Sequence, residues 1–290
     1  MINLFLKFKT NKLSSKFITQ RNIDSSSKVL FALFTRYGDT IISLQVIKEF
    51  IEKFPKKNYL ILCPKQMEPY VNKLLPGISC ISFNKRNLIE LLRVVKFLKK
   101  WKPEIGFNPW SNGLDSCYFI SFCKYFFCYK DFAKKEKNHY EVIREYLQLG
   151  LKEWTFETVK EISLKRNILI CPDSTDILRS MDSVEIEEVI KWMQMKDSSI
   201  NITIASMHPS DILFHNKKDF IFKKNSNSSL EFIKLVNNSD QVIAVDSAPM
   251  HLALALKKET IINLKITKKE DVINSESSFA EFKNFFKVKI

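Results

Sequence analysis

Glycine and long apolar runs are both scarce in this sequence of 290 residues. Only five glycines are present, so each is a candidate for a turn or a close backbone approach that other residues make poorly. No stretch reaches the ~18–20 apolar residues needed to span a bilayer. We therefore expect no membrane-spanning helix.

The first segment, residues 1–27, is a basic N-terminal extension. Its opening, MINLFLKFKTNKLSSKF, lacks the apolar core and the small-residue cleavage site of a signal peptide. It is either a frayed end or a weak anchor on an anionic membrane surface.

The cysteines lack a metal-binding pattern. None forms a CxxC pair, and most lie inside apolar runs such as YLILC and NILIC. This distribution is typical of reduced, buried thiols in a cytoplasmic protein and predicts no metal site.

Hydrophobic residues and positive charge are abundant. Hydrophobic residues make up 45% of the chain and include 24 phenylalanines, which predicts globular, aromatic-rich cores. The net charge of +14 indicates an anionic partner, which could be a nucleic acid, an anionic lipid or a phosphorylated substrate. No zinc-finger or RNA-recognition signature accompanies the charge, so we expect no nucleic acid partner.

Strands and helices alternate in both halves of the chain. Continuous apolar runs such as KVLFALF and QVIAVD indicate strands that are buried on both faces of a parallel sheet. Segments such as LIELLRVVKFLKKW, with apolar residues at helical spacing, predict the intervening helices. The alternation predicts two doubly wound α/β domains, 28–150 and 151–290, with ETIINL as the last strand.

One polar motif follows the first strand. It reads Arg36-Tyr37-Gly38-Asp39-Thr40, and ligands of open α/β sheets bind beyond the carboxyl ends of the strands. Gly38 would suit a tight turn. Asp39 is either a helix N-cap or a general base that takes a proton from a sugar hydroxyl.

A second polar motif follows QVIAV and reads Asp246-Ser247-Ala248-Pro249-Met250-His251. Pro in the first helical turn marks a helix start, where backbone N–H groups and the helix dipole favour a diphosphate. His251 is either a structural histidine of an apolar helix or a ligand contact grouped with Asp246.

Together these motifs resemble glycosyltransferase family 9, the lipopolysaccharide heptosyltransferases. RYGDTIISLQVIKEFIEKFP, KLLPGISCISF and FIKLVNNSDQVIAVDSAPMHLALALKKETIIN carry the resemblance, which extends from about residue 28 to 264. It implies the GT-B architecture, in which two Rossmann-like domains face a cleft. It also implies an ADP-heptose donor, a lipid-linked core sugar as acceptor, and no metal or other cofactor.

The resemblance also implies roles for individual residues. Asp39 would be the general base of an inverting transfer, and Arg179 would neutralise the leaving diphosphate. The other donor contacts would be Asp246, Ser247, Ala248, Met250, His251, Ser174 and Thr175. Residues on the acceptor side would be Arg36, Gly38, Thr40 and Asn108.

Three departures from the family pattern keep alternatives open. Ala248 stands where glycine is usual, MHPSD replaces a glycine-rich loop, and KITKKEDV replaces another. The rivals are a transferase with another nucleotide sugar and glycan acceptor, a catalytically silent homologue that acts as a binding subunit, and a nucleic-acid-binding protein suggested by charge alone. For the transferase, the basic residues predict peripheral contact with the anionic inner face of the inner membrane.

Overall fold

The computed structural model describes residues 20–109, 114–127, 139–150, 155–158, 164–175, 177–207, 220–263 and 285–289. The chain divides into two compact units, Met1–Lys152 and Glu153–Ile290. Both units are built from parallel strands that alternate with helices, as the sequence predicts.

The first unit contains a parallel sheet with the strand order β3-β2-β1-β4-β5. Its strands are β1 (Lys28–Ala32), β2 (Asn58–Pro64), β3 (Ser79–Phe83), β4 (Ile105–Phe107) and β5 (Tyr125–Phe127). The order reverses on either side of β1, which places the turn after β1 at the topological switch point of the sheet.

The helices of the first unit are α1 (Gln20–Ser25), α2 (Tyr37–Lys53), α3 (Glu68–Leu74), α4 (Leu88–Trp101), α5 (Leu114–Ile120) and α6 (His139–Tyr146). Helix α2 buries Ile42, Val46 and Phe50 at helical spacing. Asn87 begins α4, because its side chain accepts hydrogen bonds from the backbone N–H groups of the first turn.

The first sheet has two different cores. On one face, alternate strand residues such as Leu30 and Leu62 pack with Leu98 of α4 and Phe119 of α5. The other face is aromatic, and the ring of Phe31 lies 5.8 Å from Phe50 and 5.5 Å from Phe107. The aromatic-rich core predicted from the phenylalanine content is confirmed.

Gly106 in β4 is required by close packing. A Cβ atom at this position would lie 2.5 Å from the Cys123 sulfur and 2.9 Å from the Ile120 Cβ. The absence of a side chain therefore lets the end of α5 and the turn after it pack directly onto the sheet.

The second unit contains a mixed sheet with the strand order β6-β12-β11-β10-β7-β8-β9. Its strands are β6 (Thr155–Thr158), β7 (Asn167–Cys171), β8 (Asn201–Ser206), β9 (Phe220–Ile221), β10 (Gln241–Val245), β11 (Glu259–Asn263) and β12 (Phe285–Lys289). The five strands from β11 to β9 are parallel, whereas β12 pairs antiparallel to both β11 and β6.

The prediction that ETIINL is the last strand is therefore wrong. Strand β12 follows it and inserts between β11 and β6, so Ile262 pairs with Phe286 and Phe156 pairs with Val288. Neither β6 nor β12 carries the continuous apolar run that marks a central parallel strand.

The helices of the second unit are α7 (Ser183–Lys196), α8 (Ser226–Asn238) and α9 (Ala248–Ala255). Asp182 and Glu185 form a capping box at the start of α7. Ile186, Val189 and Met193 of α7 then pack on Ile170 and Ile243 of the sheet.

The cysteines in the described ranges are all free, and four of those five are buried. Cys128 lies outside the described residues. In the described part of the chain, no helix has the length and apolar character needed to cross a membrane.

Candidate functional site

The turn after β1 leads directly into α2. Helix α2 begins at Tyr37, so Arg36 occupies the N-cap position and Asp39 lies inside the first turn. The reading of Asp39 as the N-cap is therefore wrong. A carboxylate in the first turn is stabilised by the helix dipole, and Asp39 is only partly buried.

Thr40 holds this turn in place. It is fully buried, its backbone N–H donates to the Arg36 carbonyl at 2.9 Å, and its hydroxyl lies 2.9 Å from that of Thr35. Gly38 is helical and does not have a positive φ, so the turn does not need the unusual dihedrals predicted there. Arg36 is exposed.

Asn108 follows β4 but points into the protein. It is fully buried, its backbone N–H donates to the Tyr146 hydroxyl at 3.2 Å, and its side-chain oxygen accepts from the same hydroxyl at 3.1 Å. This burial contradicts direct contact between Asn108 and an acceptor. The residue instead ties the end of β4 to α6, so any effect on the acceptor passes through the backbone.

The second candidate site lies at the start of α9. Ser247 is the N-cap residue, Pro249 lies in the first turn, and the first turn holds no acidic residue. The Ser247 side chain does not cap the helix, because its hydroxyl donates to the Val245 carbonyl at 3.3 Å. The α9 N-terminus thus has neither a side-chain cap nor a carboxylate in its first turn, which suits an anionic ligand.

Three predicted donor contacts meet beside this helix. Arg179, at the end of a 3-10 turn (Ile177–Arg179), donates to the Asp246 carboxylate at 3.1 Å. The other Asp246 oxygen lies 3.8 Å from His251 Nε2. Arg179 and Asp246 are both partly exposed, so their charges are accessible to a ligand.

His251 is neutral in this setting. Burial lowers its pKa to about 4, and the nearby Asp246 carboxylate offsets only part of that shift. A neutral imidazole can act as a hydrogen-bond donor or acceptor without adding charge.

The loop after β7 supplies the remaining predicted donor residues. Its backbone is closed by Ser180, whose hydroxyl accepts from the Ser174 N–H at 2.9 Å. Ser174 is buried, whereas Thr175 is exposed. Thr175 and Arg179 are therefore the members of this loop group that can meet a ligand directly.

Met250 and Ala248 differ in position although they are close in sequence. Met250 is 2% exposed, so its burial contradicts the prediction that it contacts the donor. Ala248 is the first residue of α9 and is partly exposed. Its methyl group lies at the helix start, where the family usually has glycine.

Two polar residues were missed from the sequence. Asp173 accepts hydrogen bonds from the Ser206 hydroxyl and the Met207 N–H, which fixes the end of β8 against the loop after β7. Asn263 ends β11 opposite Val245 and is 1% exposed. Within the described ranges, neither amide atom of Asn263 has a hydrogen-bond partner. A polar residue that ends an apolar strand was the available signal for Asn263.

The described ranges contain no group of three or more His, Cys, Asp or Glu side chains placed to hold a metal ion. The N-terminal extension up to residue 19 and the loops 208–219 and 264–284, where the family pattern is lost, lie outside the described residues.

The second unit provides the deciding comparison. Residues 132–262 match the family model described as glycosyltransferase family 9 (heptosyltransferase). The chain belongs to glycosyltransferase family 9. The matched segment includes Arg179, Asp246 and His251, whereas Asp39 lies before it. No curated protein sequence matches the chain.

Solved structures of family 9 enzymes share the fold. The Escherichia coli heptosyltransferase WaaC with ADP-2-deoxy-2-fluoro heptose aligns with a TM-score of 0.54 at 12% identity, over 81% of this chain and 87% of that chain. For E. coli ADP-heptose lps heptosyltransferase II, the TM-score is 0.56 at 14% identity, over 80% and 83%. For the family 9 protein of Veillonella parvula DSM 2008, it is 0.57 at 13% identity, over 81% and 80%.

These likenesses establish the α/β fold of the GT-B heptosyltransferases for this family 9 glycosyltransferase. At 11–14% identity they carry no information about its donor or acceptor.

Proposed function

We propose that this family 9 glycosyltransferase transfers a heptose, or a related sugar, from an ADP-activated donor to a lipopolysaccharide or lipooligosaccharide core acceptor. The observation that carries the proposal is the cluster of Arg179, Asp246 and His251 at the uncapped start of α9. Solved family 9 structures that contain ADP or an ADP-linked heptose support the choice of donor.

The donor would bind through its diphosphate and its sugar. The positive end of the α9 dipole and the Arg179 guanidinium favour the diphosphate, and they stabilise the charge that develops as ADP leaves. Asp246 accepts hydrogen bonds from sugar hydroxyls, and the neutral His251 imidazole adds a polar contact without opposing the Arg179 charge. Because Arg179 supplies the cation, we propose a transfer without a metal or other cofactor.

The acceptor would be activated by Asp39. Its carboxylate removes the proton from an acceptor hydroxyl while that oxygen forms a bond to the anomeric carbon and the bond to ADP breaks. Attack from the face opposite ADP inverts the anomeric centre. Arg36, exposed three residues earlier, would attract a phosphate group on the acceptor.

The lipid-linked acceptor implies a place of action. We propose that the protein works in the cytoplasm, at the inner face of the inner membrane, because its +14 net charge favours an anionic surface. No feature of the described ranges has the form of a nucleic-acid-binding module, so the charge is assigned to the phosphorylated glycolipid.

The test is transfer with a defined donor and acceptor. The purified protein is incubated with ADP-heptose and a heptose-deficient lipopolysaccharide, and both the release of ADP and a mass gain of one heptose are measured. Donor hydrolysis is controlled by omitting the acceptor. Turnover that requires the acceptor supports the proposal.

A second donor remains an explicit alternative because Ala248 narrows the space at the start of α9. A thermal-shift series with ADP-, UDP- and GDP-sugars separates the two cases. Stabilisation by another nucleotide sugar, with no effect of ADP-heptose, would reassign the donor. If none of these ligands shifts the midpoint, the chain has kept the fold as a silent binding subunit.

A further inference from the structure

Helix α4 has one buried face and one solvent face of unusual composition. Leu91, Val94 and Leu98 are buried, in the core that α4 forms with the sheet. On the solvent side, Leu88 is 56%, Ile89 is 63% and Leu92 is 58% exposed. Together with Phe97, α4 carries four of the nine large apolar side chains that are exposed in the described ranges, so this helix concentrates them.

Basic residues continue the same face toward the C-terminal end of the helix. Arg93, Lys96, Lys99 and Lys100 are all exposed. At 100° per residue, Lys96, Lys99 and Lys100 project on the side that Ile89 and Leu92 occupy. The acidic residue of this helix, Glu90, lies to one side and accepts hydrogen bonds from Lys65 and from the Asn84 N–H.

The apolar end of α4 lies at the functional edge of the first unit. Helix α4 follows β3, and Asp39 follows β1 in the same parallel sheet. The carboxyl ends of parallel strands lie at one edge, so Leu88 and Ile89 are at the edge that carries Asp39. A surface contacted by this end of α4 would be next to the proposed acceptor side.

We propose that the solvent face of α4 (Leu88, Ile89, Leu92, Arg93, Lys96, Lys99 and Lys100) docks on an anionic lipid bilayer. The apolar residues enter the headgroup boundary, and the basic residues bind anionic headgroups. The inference deepens the proposed function, since it rests on a lipid-linked acceptor and names the surface that meets its membrane.

Charge complementarity favours a bilayer over the other coverings of this face. A second copy packed on it would bring two sets of like charges together, which is unfavourable. A nucleic acid would pair with the lysines but would leave the exposed Leu88, Ile89 and Leu92 without apolar contact. An anionic membrane satisfies both halves of the helix.

The test is sedimentation of the full chain with vesicles. Wild-type protein is expected to sediment with phosphatidylethanolamine vesicles that contain phosphatidylglycerol, and at least tenfold less with pure phosphatidylcholine. Lys99→Glu combined with Lys100→Glu lowers the partition coefficient about tenfold or more. Ile89→Ser combined with Leu92→Ser lowers it by a similar factor without changing net charge.

Matched variants on the second unit control for charge and apolarity alone. Lys196→Glu with Lys234→Glu makes the same charge change, and Val184→Ser with Met195→Ser removes two exposed apolar side chains. Both pairs are expected to sediment like wild type. Folding of every variant is checked by its thermal midpoint and by ADP binding.

Three results would overturn the docking surface: wild type that ignores anionic vesicles, α4 variants that sediment like wild type, or control pairs that lose as much. Wild type that dimerises through α4 without binding vesicles would assign the face to a second copy. Vesicle binding needs no turnover, so docking without transfer would count against the proposed function alone. Transfer to a delipidated acceptor without docking would count against this inference alone.

Discussion

The starts of α2 and α9 are the same structural device with opposite charge. Both helices follow a central parallel strand, and in neither does the N-cap side chain cap the helix. In α2 the first turn already contains Asp39, whereas the first turn of α9 contains no acidic residue. The α2 dipole therefore stabilises a carboxylate of the protein, and the α9 dipole is left for a negative charge brought by a ligand.

The positions of the acidic residues explain the difference. Asp246 ends up before its helix and is paired with Arg179, while Asp39 lies within its helix. A shift of an acidic residue by a few positions along the chain thus converts a site for a base into a site for a diphosphate. The following changes test this contrast in order of decreasing expected effect.

Removal of the carboxylate from α2 is expected to have the largest effect. Asp39→Asn keeps the size of the side chain but cannot accept a proton, so turnover should fall by about 10²–10⁴-fold. Affinity for ADP should be unchanged, as measured by calorimetry. Glu52→Gln, at an exposed position on the same helix, is the control and should retain wild-type turnover. A loss in both variants, or in neither, would remove Asp39 from the role of base.

Removal of the cation beside α9 comes next. Arg179→Ala should weaken ADP binding by about 1.5–3 kcal/mol, because a charge-assisted contact to the diphosphate is lost. Arg166→Ala removes an exposed arginine just before β7, at the opposite edge of the sheet, and should bind ADP normally. Equal ADP affinity in wild type and Arg179→Ala would contradict the assignment.

The buried His251 should make the second unit sensitive to acid. Its pKa is about 4 in the folded chain and ~6.5 when unfolded. The unfolded state therefore takes up a proton at pH 5 that the folded state does not, and stability falls as pH drops from about 6.5 toward 4. Between pH 7 and pH 5 this costs about 2 kcal/mol.

Urea unfolding at these two pH values measures that effect. His251→Asn should lose about 2 kcal/mol less than wild type over the interval, since all other titrating groups are shared. A parallel loss in both proteins would show that His251 is not the group responsible.

The smallest effect is expected when α9 is made to resemble α2. Ala248→Asp places a carboxylate in the first turn of α9, where it competes with a diphosphate for the helix dipole. ADP affinity should fall by roughly 1 kcal/mol while the thermal midpoint is unchanged or slightly raised. Ala248→Asn has nearly the same shape without the charge and should bind ADP more tightly than Ala248→Asp. The reverse order of affinities would argue against an anion at this helix.

The sequence was most informative where burial is strong. The strands KVLFA and QVIAV and the helix Leu88–Trp101 follow directly from apolar run length and from helical spacing. Strands β6 and β12 could not be predicted in this way, because TFET and FFKVK are short and their antiparallel pairing joins distant segments.

The candidate sites show the same division. Motif spacing correctly grouped Asp246 with His251, and the structure adds Arg179 to them. Asn108 and Met250 were misjudged, because a polar side chain at a strand end and a methionine beside a ligand motif can both turn inward. Which way such a side chain points depends on tertiary partners such as Tyr146, and these are not visible in local sequence.

The pairing of β6 with β12 has a consequence for synthesis. Strand β6 opens the second unit, but its partner in the sheet is made only after almost all of that unit has been translated. Until then β6 has no strand to pair with, and the contact that completes the sheet is of high sequence separation. The first unit has no such delay, because its strands pair with neighbours made soon before or after them. On the ribosome the acceptor-side unit can therefore fold early, whereas the donor-side unit must wait as an incomplete sheet with an open edge.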